Sequence, residues 1–174
     1  MKNIINLISI ILCISFNNCT AQNNYHRPDP YADKFAGIWK WGDTNNGLVL
    51  IMKKENNVNL LGDDDQDIFD IIIGFHKIYK NGVATEDNTM YSNTSFNDKK
   101  RSIKAVTDNN NSDVLTAFMT HKNKGIIMKI QYIDSTHIKI IEVENKEGVR
   151  FKLPGQSPTD WSIDIPNNII LTKQ

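Results

Sequence analysis

Cysteine is almost missing from this chain. Only Cys13 and Cys19 occur, both inside the first twenty residues. The rest therefore has no disulfide framework and no thiol nucleophile, and its stability must come from packing. An excess of charge is missing too: 20 basic side chains meet 20 acidic ones. That balance leaves no electrostatic footprint for nucleic acid and no polybasic membrane patch. A long apolar run is lacking, because Ile4–Phe16 is interrupted by Asn6 and Ser9 and is short for a bilayer. Helical periodicity is lacking beyond one turn around Tyr31–Phe35. Motifs of chemistry are lacking as well. There is no Gly-x-Ser-x-Gly elbow, no Cys/His pair and no metal-ligand spacing among the histidines. The carboxylates are scattered, so no glycosidase acid pair can be placed. An enzyme is not expected on these grounds, nor a cofactor or a metal.

What is present begins with a processing segment. Lys2 precedes the apolar run, and Cys19-Thr20-Ala21 follows it. This is the layout of a secretory signal over residues 1–21. Two cuts fit. One falls after Ala21 and releases a soluble periplasmic or secreted domain. The other falls before Cys19, which then becomes a lipid attachment site and holds the protein on a membrane. A cysteine closing the apolar run favours the second cut. Residues 22–32, with Pro28 and Pro30, read as a polar tether, and His26 within them as solvated. Residues 33–174 read as a single β domain.

The stretch Asp33–Trp41 organises that domain. Period-two alternation places Phe35, Gly37, Trp39 and Trp41 on one side, with Ala36, Ile38 and Lys40 on the other. Two indoles on one face of a first strand need a core to cover them. Strand candidates then follow at Leu48–Lys53, Val58–Leu61, Ile68–Tyr79, Val83–Thr85, Ser102–Thr107, Val114–Thr120, Ile126–Tyr132, His137–Val143, Val149–Leu153 and Ile169–Thr172. Asn81-Gly82 is the strongest hairpin signal, since a type I′ turn needs positive φ at both central positions. Asp87–Arg101 is polar and reads as a loop.

Short connections between successive strands imply neighbours in space. The expected fold is all-β: an antiparallel meander closing into a barrel or half-barrel. An open two-layer sandwich is the alternative, because sequence alone does not decide closure.

Two resemblances attach to these residues. Phe35-Ala36-Gly37-Ile38-Trp39 resembles the Gly-x-Trp opening of lipocalins and related calycin barrels. That likeness implies a calycin-like barrel, with Arg150 as the late-strand arginine packed over the Trp39 ring; no counterpart of the mid-chain Thr-Asp-Tyr motif is found. Cys19-Thr20-Ala21-Gln22, Asp33–Trp39 and the terminus Pro166–Gln174 together resemble a family of small secreted or lipoprotein-like bacterial proteins of unknown function. This second likeness implies export and an all-β fold, and no activity.

Three clusters invite chemistry and have plainer readings. Asp63, Asp65 and Asp67 alternate as at the start of an EF-hand, but Ile68 and Gly74 stand where the loop needs Gly and Glu. A solvated hairpin tip is the expectation. His76, His121 and His137 each sit near a strand end, with water as the easy partner. Met90, Tyr91, Phe96 and Trp161 read as lids folded on the core rather than a ligand rim. Two functions remain. One is a structural or interaction barrel filled by its own side chains, with Trp39, Trp41, Phe69, Phe75, Phe118 and Phe151 as inward candidates. The other is a carrier of a small apolar ligand, with Trp39, Trp41 and Arg150 near its cavity.

Overall fold

The computed structural model describes residues 25–60, 67–146, 155 and 160–174. It contains β1 (His26–Arg27), β2 (Gly37–Gly42), β3 (Gly47–Asn59), β4 (Ile68–Lys80), β5 (Val83–Asp87), β6 (Ile103–Thr107), β7 (Val114–His121), β8 (Lys124–Asp134), β9 (His137–Asn145) and β10 (Ile169–Lys173). Successive strands pair antiparallel from β2 to β4 and from β6 to β9, and β10 lies between β9 and β2. The ring closes where Ile72–Gly74 of β4 pairs with Ile103–Ala105 of β6. The result is an eight-stranded, up-and-down antiparallel barrel. Closure removes the free edges that an open meander would leave.

Local chemistry explains the turns. Asn81 and Gly82 have φ of 53° and 78° between β4 and β5, the pair of positive values a type I′ hairpin needs. Lys122 and Asn123 repeat this between β7 and β8, with φ of 48° and 59°. The two expected strands Leu48–Lys53 and Val58–Leu61 are one strand, β3. A bulge between Glu55 and Val58 joins them, with Asn57 at φ 57°.

Alternation then sorts the faces. Trp39, Leu50, Leu115, Met128, Ile130 and Leu171 are fully buried in the barrel interior. Intervening residues such as Ile38, Lys104, Phe118 and Gln131 are exposed. An apolar inside and a charge-bearing outside invert the pattern of a membrane-spanning barrel. No described helix is long and apolar enough to cross a membrane.

β4 corrects one expectation. Ile72 and Ile78 face the interior, whereas Ile71, Ile73 and Phe75 point outward. They stay buried because a second, smaller core forms on the outer surface, with Val58 and Phe96. The covering segment carries two short 3-10 turns, Thr89–Tyr91 and Phe96–Asp98. Ser95 and Asp98 close a capping box on the second of them. Phe69 and Phe75 therefore do not fill the barrel, and Phe118 is 39% exposed on its outer face. The near-continuous apolar character of Ile68–Ile78 reflects a strand covered on both sides.

The ends are closed by chain. Residues 25–35 lie across one end, where the tether was expected to run free. β1 pairs parallel with Ile68 and Phe69. Buried Asp29 accepts hydrogen bonds from the Thr107 amide at 3.0 Å and the Thr107 hydroxyl at 2.7 Å. His26 is engaged too, 3.0 Å from Asp70. A 3-10 turn over Ala32–Phe35 then buries Phe35 and leads into β2. Residues 160–165 cross the opposite end, with Ile165 in the main core. Residues 1–21 with Cys19, the Asp63–Asp65 run, Arg150, Phe151 and the strand expected at Val149–Leu153 lie outside the described residues.

Candidate functional site

Buried polar groups in an apolar barrel need partners. His76 on the inner face of β4 and His121 at the end of β7 are 4% and 1% exposed. The expectation of water as their partner is corrected by a third residue. Glu86 on β5 reaches over the barrel end, and its Oε2 lies 2.8 Å from His76 Nε2 and 3.0 Å from His121 Nδ1. Its Oε1 accepts the Lys122 amide. Burial alone would raise the Glu86 carboxyl. The hydrogen bonds from His121, His76 and Lys122 outweigh that and hold it well below the ordinary carboxylate range.

An ionised carboxylate only accepts, so the geometry assigns the tautomers. His76 donates from Nε2 to Glu86, and its Nδ1 lies 2.7 Å from the Ser102 hydroxyl, which also lies 3.2 Å from Asn88 Oδ1 and 3.4 Å from Gly74 O. His121 carries its proton on Nδ1, which leaves Nε2 to accept the Asp164 amide at 3.2 Å. Every polar atom named has a partner. The network thus ties together β4, β5, β7, the start of β6 and the crossing segment.

Lysines clamp the same segment. Lys124, 1% exposed, donates to the carbonyls of Asp160 at 2.9 Å and Ser162 at 2.6 Å. Lys122 Nζ lies 2.9 Å from Asp164 and 3.2 Å from Asp160, and Lys80 lies 2.8 Å from Asp164. A buried lysine is tolerated here because carbonyl oxygens replace its water.

Ser102, His76 and Glu86 stand in the order of nucleophile, base and orienting carboxylate. The amides that could support an acyl-transfer intermediate are committed elsewhere. Ser102 N–H donates to Gly74 O at 3.0 Å, and Thr120 N–H donates to Ser102 O at 2.9 Å. Both bonds belong to barrel pairing, so neither of these two amides is free to serve as an oxyanion donor. These hydrogen bonds lock the strand ends and the crossing segment together.

Outside the lock lies a groove of about 490 Å³ on the outer face of β6, β7 and β8. Lys99, Arg101, Lys104 and Lys146 line it, together with Phe118 and Ser102. No acidic side chain is among the described lining residues. Arg101 is fixed by its donation to Phe96 O and by stacking 3.5 Å from the Phe96 ring centroid. A second groove of about 360 Å³ adjoins it through Lys104 and Phe118, and Leu60, Phe69, Ile71 and Val106 line it.

The residues singled out in the sequence are placed as follows. Trp39 is fully buried and donates from Nε1 to Phe35 O at 2.8 Å. Trp41 is half-buried against the same core. Lys173 Nζ stands 5.0 Å from the Trp39 ring. Gly37, at φ 143°, makes room for it, since a Cβ there would meet Lys173 Cε at 2.5 Å. Tyr91 and Phe96 are lids on the outer core, as expected, whereas Met90 is 77% exposed and Trp161 46%. His137 stays apart from the other two histidines, 3.1 Å from Asp134. No three described His, Cys, Asp or Glu side chains converge on a metal-sized space. Sequence reading missed Glu86 entirely. Its only signal was a carboxylate in the strand after the Asn81-Gly82 hairpin, beside a strand that carries His76.

A family model for a family of unknown function, DUF6705, matches residues 1–174. The chain belongs to that family. No curated protein and no solved structure matches it. As a DUF6705 member it shares an assignment that carries no activity, so function has to be argued from the barrel itself.

Proposed function

We propose that this protein is a non-catalytic interaction barrel of an exported envelope protein, held on a membrane through a lipid at Cys19. Its binding surface is the outside of the barrel. The observation that carries this reading is the filled interior. Trp39, Leu50, Met128 and Ile130 are all 0% exposed and belong to one core cluster inside the barrel. Eight strands enclose a space that side chains can fill or that one small ligand can occupy, and here buried side chains take it up. A carrier of a small apolar ligand, the other reading of the sequence, needs an open lumen there. The Phe35–Trp39 likeness to lipocalins is supported by the 3-10 turn ahead of β2 and by the buried indole, with Lys173 at the ring face.

Residues 25–35 packed on the barrel leave a short polar stretch between Cys19 and the domain, suited to a surface-bound protein. The test is made on protein from cells. The Cys19→Ala chain moves from the membrane fraction to the soluble one with its circular dichroism unchanged. Native mass spectrometry of that soluble form shows the bare polypeptide mass. A mature wild-type chain that begins at Gln22 without lipid would refute the anchor. A stoichiometric apolar ligand released only on unfolding would refute the filled barrel.

A further inference from the structure

We infer that the paired grooves on the outer face of β6 and β7 bind an acyl-chain amphiphile with an anionic head group. The head sits among Lys99, Arg101, Lys104 and Lys146, and the chain lies over Phe118 and Val106. This rests on the exterior-binding reading above and names the ligand class for it.

Charge argues first. The whole chain is electrically balanced, yet four cations surround one groove and its described lining includes no acid. Glu55, outside the groove lining, acts on Arg101, and the three lysines remain as like charges around a concave surface that an anion would relieve. Arg101 is oriented in advance. Its guanidinium is stacked on Phe96 and bonded to Phe96 O, and its Nε is buried without a partner. Little of its rotamer freedom is left to lose on binding an anion.

Apolar surface argues second. Phe118 and Val106 are 39% and 37% exposed on neighbouring strands. They adjoin partly buried Phe69 and Leu60 of the outer core. Lys104 and Phe118 face each other across the β6–β7 pair and line both grooves. Lys146 Nζ lies 5.2 Å from the Phe118 ring. The cationic and apolar halves therefore meet at one residue pair. A free anion would use only the first half, and an uncharged alkane only the second.

The test is a titration of the soluble Cys19→Ala chain with decyl phosphate below its micelle-forming concentration, followed by two-dimensional NMR and calorimetry. Saturable binding that shifts Lys104, Val106 and Phe118 signals is expected. Octyl phosphate should bind several-fold more weakly, by up to roughly 15-fold if both lost methylenes were fully buried. Lys104→Glu should weaken decyl phosphate at least tenfold while the exposed position leaves the melting temperature unchanged, and Phe118→Ala should erase the octyl–decyl difference. Equal affinity for inorganic phosphate, for decyl maltoside or for poly-glutamate would overturn the amphiphile. No binding, with the interior methyl signals of Met128 and Ile130 undisturbed, would overturn this inference alone. Binding that shifts those interior methyls and leaves Phe118 unmoved would overturn the filled-barrel reading as well.

Discussion

The middle of the barrel and its capped end are built on opposite principles. The middle is apolar: Trp39, Leu50, Ile130 and Leu171 belong to one buried core, and the Trp39 N–H among them is met by Phe35 O. The end that holds Glu86 is polar, and it works only because each group finds a partner of defined direction. Packing in the middle is nondirectional and depends on volume. The end is directional and depends on protonation. Losing a side chain in the middle leaves a void, whereas losing one at the end leaves stranded donors.

The largest effect should come from the middle. Trp39→Ala removes a fully buried indole and is expected to cost about 3–5 kcal/mol in denaturant unfolding. A cost under about 1 kcal/mol would mean that the barrel collapses around the void, and the contrast with the end would fail.

Glu86→Gln comes next, at about 1.5–3 kcal/mol at neutral pH. A neutral amide can accept from the two imidazoles with one oxygen only, and its NH₂ then faces the Lys122 amide. The pH dependence sharpens the point. The folded carboxyl lies below its unfolded value of about 4.3. Its contribution is therefore fully present above that pH and is lost as pH falls through and below it. Wild-type stability should fall more steeply below about pH 4.3 than that of the Gln variant, as acid-unfolding midpoints would report. Parallel acid curves would remove Glu86 from the account of this end.

Ser102→Ala is the smallest of the three, at about 0.5–1.5 kcal/mol. It removes the partner of His76 Nδ1 but leaves both imidazole bonds to Glu86. Nitrogen-15 NMR of the His76 ring in this variant should still report the proton on Nε2. A switch of the proton to Nδ1 would show that Ser102, rather than Glu86, sets the tautomer.

Much of the barrel was legible in the sequence, and the reasons are specific. Clean alternation in Ile126–Tyr132, together with the Asn81-Gly82 hairpin, carried strand identity and neighbour order. Trp39 was legible because an indole on a period-two face has few places to go. β4 was legible as a strand, but not which of its faces was the interior. Both faces are apolar, and the second core exists only because residues 88–98 fold over it. The Glu86 network was invisible for a related reason. Its three members come from β4, β5 and β7, and only barrel closure brings those strand ends together. Tyr25–Pro30 was misread as free because its anchor, Asp29 on Thr107, spans 78 positions.

Whether this chain fills its own barrel is tested most directly by xenon. Xenon partitions into empty apolar cavities of protein interiors. Methyl-resolved NMR of the soluble Cys19→Ala domain under xenon pressure should leave the Met128 and Ile130 methyls unshifted. Trp39→Ala, which opens a void beside them, should make those same methyls respond. A saturable xenon shift at Met128 or Ile130 in the domain with Trp39 intact would contradict the account and restore the ligand carrier.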